Sequence, residues 1–200
     1  MKKLLLILAL VLLLTGCAAD LPAVEDVKPR LIELIEASWE INDIFFGEGL
    51  PVIARDSDYA IENHVYYMDE QGGNYDIVSP DCPYQSVLMI QSAAEAVYST
   101  PYLASIYETM FVGVADENAG MLYARYLDTE TGLRKSNIHE PIMSGRRLYD
   151  YDSIEIVKPS NDRYINLEID SYLEGEDDIL RVRLTLVNED GVWLLDTPTY

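Results

Sequence analysis

The chain has 200 residues and carries 14 Lys+Arg against 35 Asp+Glu, a formal charge of −21 at pH 7. That balance excludes nucleic acid as a partner, because affinity for it comes from neutralising phosphates with Lys and Arg, and it disfavours anionic lipid headgroups and wall polymers. With 49% hydrophobic residues at this length, a single domain with its own core is expected.

The chain opens with Lys2 and Lys3, an uninterrupted apolar run over residues 4–14, and then Thr15, Gly16 and Cys17. A short cationic start, an apolar middle and small residues at the end form the pattern of a secretory signal. The run is too short to cross a bilayer, which takes roughly 20 residues per helix. Leu14-Thr15-Gly16-Cys17 resembles the bacterial lipobox. The resemblance implies cleavage between Gly16 and Cys17 and a diacylglyceryl group on the Cys17 thiol, hence an extracytoplasmic protein anchored to the cell membrane. Loss of residues 1–16 removes two Lys and no acid, leaving 12 cationic against 35 acidic residues, a formal −23. With Cys17 lipidated, Cys82 stands alone; an intramolecular disulfide is then impossible despite the export route, and a buried, inert thiol is expected.

Residues 17–28 are expected to be a tether, with Pro22 and Pro29 interrupting regular structure. The single domain then spans 29–200. From Arg30 the pattern is helical: Leu31, Leu34, Ile35, Ile41 and Phe45 share a face that Ile32, Trp39 and Phe46 widen, opposite Glu33, Glu36, Glu40 and Asp43. Such a half-apolar cylinder is expected to lie on a sheet, begun by Pro29 and ended by Gly47. Short strands are expected at 63–68 and 75–78, on either side of Gly72-Gly73-Asn74. Ser92-Ala93-Ala94-Glu95 has capping-box spacing and predicts a helix start at Ser92. Thr100-Pro101 begins a second helix, with Leu103, Ile106, Tyr107 and Met110 on one side. Residues 115–120 read as a turn, and from Met121 a period of two predicts a central strand.

The C-terminal third reads as four strands, at 153–157, 163–173, 178–188 and 192–197. A register follows from side-chain agreement. Ile165, Leu167 and Ile169 oppose Leu186, Leu184 and Val182, while Glu168 meets Arg183 and Asp170 meets Arg181 on the other face. A one-residue slip would destroy both sets of pairs. Asp190-Gly191 marks a tight hairpin that places Leu195 opposite Leu186 and brings Trp193 to the core side. The fold class is therefore α+β, with N-terminal helices packed on a C-terminal antiparallel β meander.

No catalytic set emerges. His64 and His139 are the only histidines, no serine sits in a nucleophile-elbow pattern, and Cys82 lies between Pro80 and Pro83 with no His nearby in sequence. No His/Cys spacing fits zinc, and the acidic pairs Asp56/Asp58 and Asp150/Asp152 and the run from Glu174 to Asp178 lack the spacing of a calcium loop. No cofactor, metal or catalytic residue is therefore expected. Two features point to binding. Trp39, with Phe45 and Phe46, offers an aromatic floor, and Ser144-Gly145-Arg146-Arg147 is the one compact basic spot. Fifteen Tyr against three Phe suit half-buried sheet positions, where a ring packs and a hydroxyl stays wet.

The lipobox, the run Ile44-Phe45-Phe46-Gly47-Glu48-Gly49-Leu50-Pro51, Tyr98 and Tyr102, and the terminal Gly191-Val192-Trp193-Leu194-Leu195-Asp196-Thr197-Pro198-Thr199-Tyr200 resemble small secreted lipoproteins of Gram-positive bacteria. The layout is also similar to the secreted inhibitors of cell-wall DL-endopeptidases and to the cone-shaped α+β fold of the nuclear transport factor superfamily. These resemblances imply a non-enzymatic binding module at the envelope, acting on a wall hydrolase, another surface protein or a wall-associated ligand. The competing expectation is a small-ligand or enzymatic domain with a cavity between helix 30–46 and the sheet.

Overall fold

The computed structural model describes residues 22–63, 67–68, 74–116, 120–143 and 145–200. The expected signal segment, with Gly16 and Cys17, and His64 lie outside them. Helix α1 spans Val24–Phe46, α2 Asp58–Asn63, α3 Val87–Glu95 and α4 Thr100–Tyr107, which runs on into a π-helical turn at Glu108–Val112. The strands are β1 Tyr67–Met68, β2 Asn74–Ile77, β3 Val114–Asp116, β4 Gly120–Leu122, β5 Tyr126–Thr129, β6 Gly132–Ser136, β7 Arg147–Val157, β8 Tyr164–Leu173, β9 Leu180–Glu189 and β10 Val192–Leu195. The fold is α+β. Its described strands form one four-stranded sheet in the order β1-β2-β6-β5, a second in the order β10-β9-β8-β7, and the β3-β4 hairpin.

The C-terminal meander has the expected register. Ile165 pairs with Leu186, Leu167 with Leu184, Ile169 with Val182, Glu168 with Arg183 and Asp170 with Arg181. Asp190 and Gly191 take positive φ, 53° and 90°, the backbone that a two-residue hairpin needs, and Leu195 pairs with Leu186. One strand is longer than expected. β7 begins at Arg147, and its pairing with β8 shifts between Asp150 and Glu155, where Ser153 Oγ donates to Asp150 O and accepts from Asp170 N. The bulge leaves Glu155 opposite Glu168, and Arg181 compensates by reaching Glu155, Glu168 and Asp170 together. The outer edge of β10 is bridged at its end. Leu195 N donates to Val97 O, and Ser99 N donates to Leu195 O, so the edge is closed at Leu195.

Helix α1 lies on the meander, with Leu31, Leu34, Ile35, Ile41 and Phe45 in one buried cluster with Ile165, Leu167, Leu184, Leu186 and Leu195. It begins earlier than expected. Residues 24–28, assigned to the tether, are helical, and Pro29 sits inside the helix. The reason is burial: Val27 packs into the core, Lys28 pairs with Asp152 at 2.6 Å, and Glu25 and Asp26 favour the positive end of the helix dipole.

Two other expectations change. Helix α3 starts at Val87, capped by Ser86, whose hydroxyl accepts from Met89 N, so Ser92 is interior. The earlier start buries Ile90 and Ala94 on one face, and Asp128 accepts from the exposed Val87 N–H. The central strand expected from Met121 is divided, with β4 closing a hairpin with β3 and β5 pairing with β6 in another sheet. The break falls at Arg125, whose side chain turns inward. It donates to Ile44 O at 3.0 Å and Gly47 O at 2.6 Å, satisfying carbonyls at the end of α1, whose last turn has no basic residue of its own. Tyr126 OH also donates to Ile44 O and accepts from Leu50 N. Gly49 is needed in this turn, because its φ is +74° and a Cβ would lie 2.6 Å from Tyr126 OH.

Most tyrosines whose burial is described are half-buried, as expected. Tyr75, Tyr98 and Tyr126 are fully buried, each with its hydroxyl bonded, to Ala124 O, Asn42 Oδ1 and Ile44 O. They act as polar pins inside the core. Cys82 is a buried free thiol. No helix among the described residues is long and apolar enough to cross a membrane.

Candidate functional site

A cleft of about 510 Å³ opens beside the core, between the C-terminal half of α1 and the segment leading into β7. It brings together Trp39, Arg146 and Arg147, the three residues that the sequence offers for binding. The face of α1 that meets the sheet is filled by Leu31, Leu34 and Ile35, so the cleft lies on the helix flank and not between helix and sheet.

Each wall is held in place. The floor is a buried polar cluster in which the Thr199 hydroxyl meets Ser38 Oγ at 2.6 Å, Asn42 Nδ2 at 2.8 Å and Tyr98 OH at 2.9 Å. Tyr149 OH donates to Thr199 O. Burying these hydroxyls and this amide is tolerable because each has a partner. Desolvation raises the phenol pKa of Tyr98, while its hydrogen bonds to Thr199, Ser38 and Asn42 lower it. Tyr200 then packs its ring on Phe46, centroids 4.5 Å apart. The rim at Gly47 and Glu48 is fixed by Arg125 and by Lys135, whose Nζ donates to Glu48 O. Burial, with Arg125 nearby, lowers the Lys135 pKa. The opposite rim is tied by Ile142 N and Met143 N donating to Phe46 O, and by Glu174 N donating to Arg146 O.

Arg146 lies over the Trp39 ring, with its guanidinium carbon 3.1 Å from the ring centroid, a cation–π stack. The Trp39 Nε1 hydrogen is covered and has no acceptor among the described residues. Arg147 donates to Ser171 Oγ at 3.1 Å. Facing these cations along α1 and the following turn are Glu36, Glu40, Asp43 and Glu48. Glu36 and Glu40 follow the i,i+4 spacing that puts them on one side of the helix. Burial, and after it the Glu40 carboxylate, push the neighbouring phenol of Tyr84 up to about 12.

His139 belongs elsewhere. It lines a second cleft of about 750 Å³ with Tyr102, Arg125 and Tyr200, and its Nε2 meets Tyr123 O, which requires the N–H to be on Nε2. Its pKa is lowered first by burial and also by Arg125, against an upward effect of the Tyr123 carbonyl. Among the described residues no group of three or more His, Cys, Asp and Glu side chains is arranged to hold a metal ion.

Sequence reasoning selected Trp39, Arg146 and Arg147 but missed the acidic wall and the floor. The wall had a signal, since Glu36 and Glu40 bracket Trp39 one turn apart. The floor had none, because nothing in Thr199-Tyr200 marks a hydroxyl for burial. No protein-family model matches the chain, and a search of curated proteins finds no match to it.

Proposed function

We propose that this protein is a lipid-anchored extracytoplasmic lipoprotein whose domain is a non-enzymatic binding module at the cell envelope, using the Trp39 cleft as its recognition surface. The lipobox supports the anchor, with two acyl chains on Cys17 giving stable attachment where one would be marginal. The single observation that carries the binding reading is the convergence of Trp39, Arg146 and Arg147 on one cleft whose floor and rims are pinned by hydrogen bonds. Its volume of about 510 Å³ falls within the range of ligand sites. The partner is an envelope protein, with a wall hydrolase as the specific version, or a wall-associated ligand.

Two experiments test this. The Cys17→Ala variant should lose lipid labelling and leave the bilayer fraction or stay unprocessed; normal lipidation would defeat the anchor. Intact protein should capture a saturable partner from wall and membrane extracts, with capture lost in Trp39→Ala. Equal capture by the variant would remove the cleft from the reading, and a purified endopeptidase unslowed at stoichiometric dose would remove the inhibitor version.

A further inference from the structure

Building on that reading of the cleft as a recognition surface, we infer that its ligand is a basic peptide segment, whose guanidinium or ammonium group takes the Trp39 ring face now occupied by Arg146. Four carboxylates, Glu36, Glu40, Asp43 and Glu48, line the cleft against two cations. None of the four makes an ion pair within 4.0 Å among the described residues, and neither does Arg146. The cleft thus keeps negative charge that its own arginines leave unpaired, on a chain of formal charge −21 whose field concentrates cationic partners.

The indole face is the surface best suited to a cation, and Arg146 already shows how one sits there, 3.1 Å above the ring. Arg146 is a weakly held occupant. Its guanidinium has the ring but no carboxylate, and the buried Trp39 Nε1 hydrogen beside it has no acceptor among the described residues. A peptide supplies a cationic side chain for the ring face with the carboxylates beside it to pair with. Arg146 is exposed, so it can swing into water when displaced. Arg147 stays on Ser171. An acidic peptide or a phosphate would use the same two arginines but would have to enter against the four carboxylates.

The two cases predict opposite signs for one variant. Full-length protein in nonionic detergent would be titrated calorimetrically with tri-arginine amide and, separately, tri-glutamate. Tri-arginine should bind the wild type, bind Arg146→Ala at least about threefold more tightly, and bind Trp39→Leu at least about tenfold more weakly. Raising the salt should weaken all three. Trp39→Phe, which keeps a ring, should retain most of the affinity and serves if Trp39→Leu does not fold. Unchanged or weaker binding to Arg146→Ala overturns the inference, as does binding indifferent to Trp39, or tri-glutamate binding that is lost with Arg146. Trp39-dependent capture of an envelope partner that excess tri-arginine does not displace would overturn the cationic assignment alone. Absence of any Trp39-dependent capture would overturn the recognition surface itself.

Discussion

The strands β7 to β10 follow one another through short turns, and each pairs with the strand before it. The sheet β1-β2-β6-β5 instead joins β2 to β6 across α3, α4 and the β3-β4 hairpin. The first sheet is specified by alternation: apolar pairs on one face, Glu168–Arg183 and Asp170–Arg181 on the other. The second is specified by a few buried polar side chains reaching far along the chain, Arg125 and Tyr126 to the end of α1 and Tyr75 OH to Ala124 O. A surface of repeated pairs spreads its stability over many residues. A region pinned by single groups concentrates it, so one substitution there should match or exceed the loss of a core leucine.

The largest effect is expected from Arg125→Ala. It removes two charge-assisted bonds to buried carbonyls and should lower stability by about 4 kcal/mol, at ~1.5–3 kcal/mol per bond, read as a shift in urea midpoint. Leu167→Ala, at the centre of the meander and fully buried, should cost about 3 kcal/mol, within the range for large-to-small core changes. If Leu167→Ala proves far more damaging than Arg125→Ala, the contrast between the two sheets is wrong. Gly49→Ala should cost about 2 kcal/mol, the penalty of an L-residue in left-handed backbone, and more if the Tyr126 hydroxyl has to move. Arg183→Ala, on the exposed face of the meander with its Glu168 partner at 2.8 Å, should cost only about 0.5 kcal/mol, as solvent-exposed ion pairs do. A loss of several kcal/mol there would show that the outer charges carry the sheet.

The same contrast explains what was readable in the sequence. The β8–β9 register was legible because hydrophobicity and charge alternate in step, so only one offset satisfies both faces. Asp190-Gly191 was legible because positive φ at both turn positions selects those residues. The start of α1 was not, because Pro29 argues for a boundary locally while Val27 and Lys28 gain their partners only once the meander is present. Nor was the break in the strand at 123–125. Arg125 looks like an outward-facing strand residue until the carbonyls of Ile44 and Gly47 are placed beside it. At the cleft, Trp39 and the basic pair at 146–147 were each visible as types, but their meeting depends on where β7 begins, several residues before the strand that its sequence suggests. The acidic wall was present in the helical spacing; the buried Thr199 was not, since its role exists only through Ser38, Asn42 and Tyr98.

The central claim is that the cleft walled by Trp39 and Arg146 is the surface by which this protein meets its partner. Photocrosslinking in cells tests it most directly, with a photoreactive residue placed at Glu36 on the cleft wall or at Leu88, exposed on α3. The account predicts a discrete, saturable adduct from position 36, lost when Trp39→Ala is added, and none from position 88. An adduct from position 88 alone, or one from position 36 that survives Trp39→Ala, would contradict it.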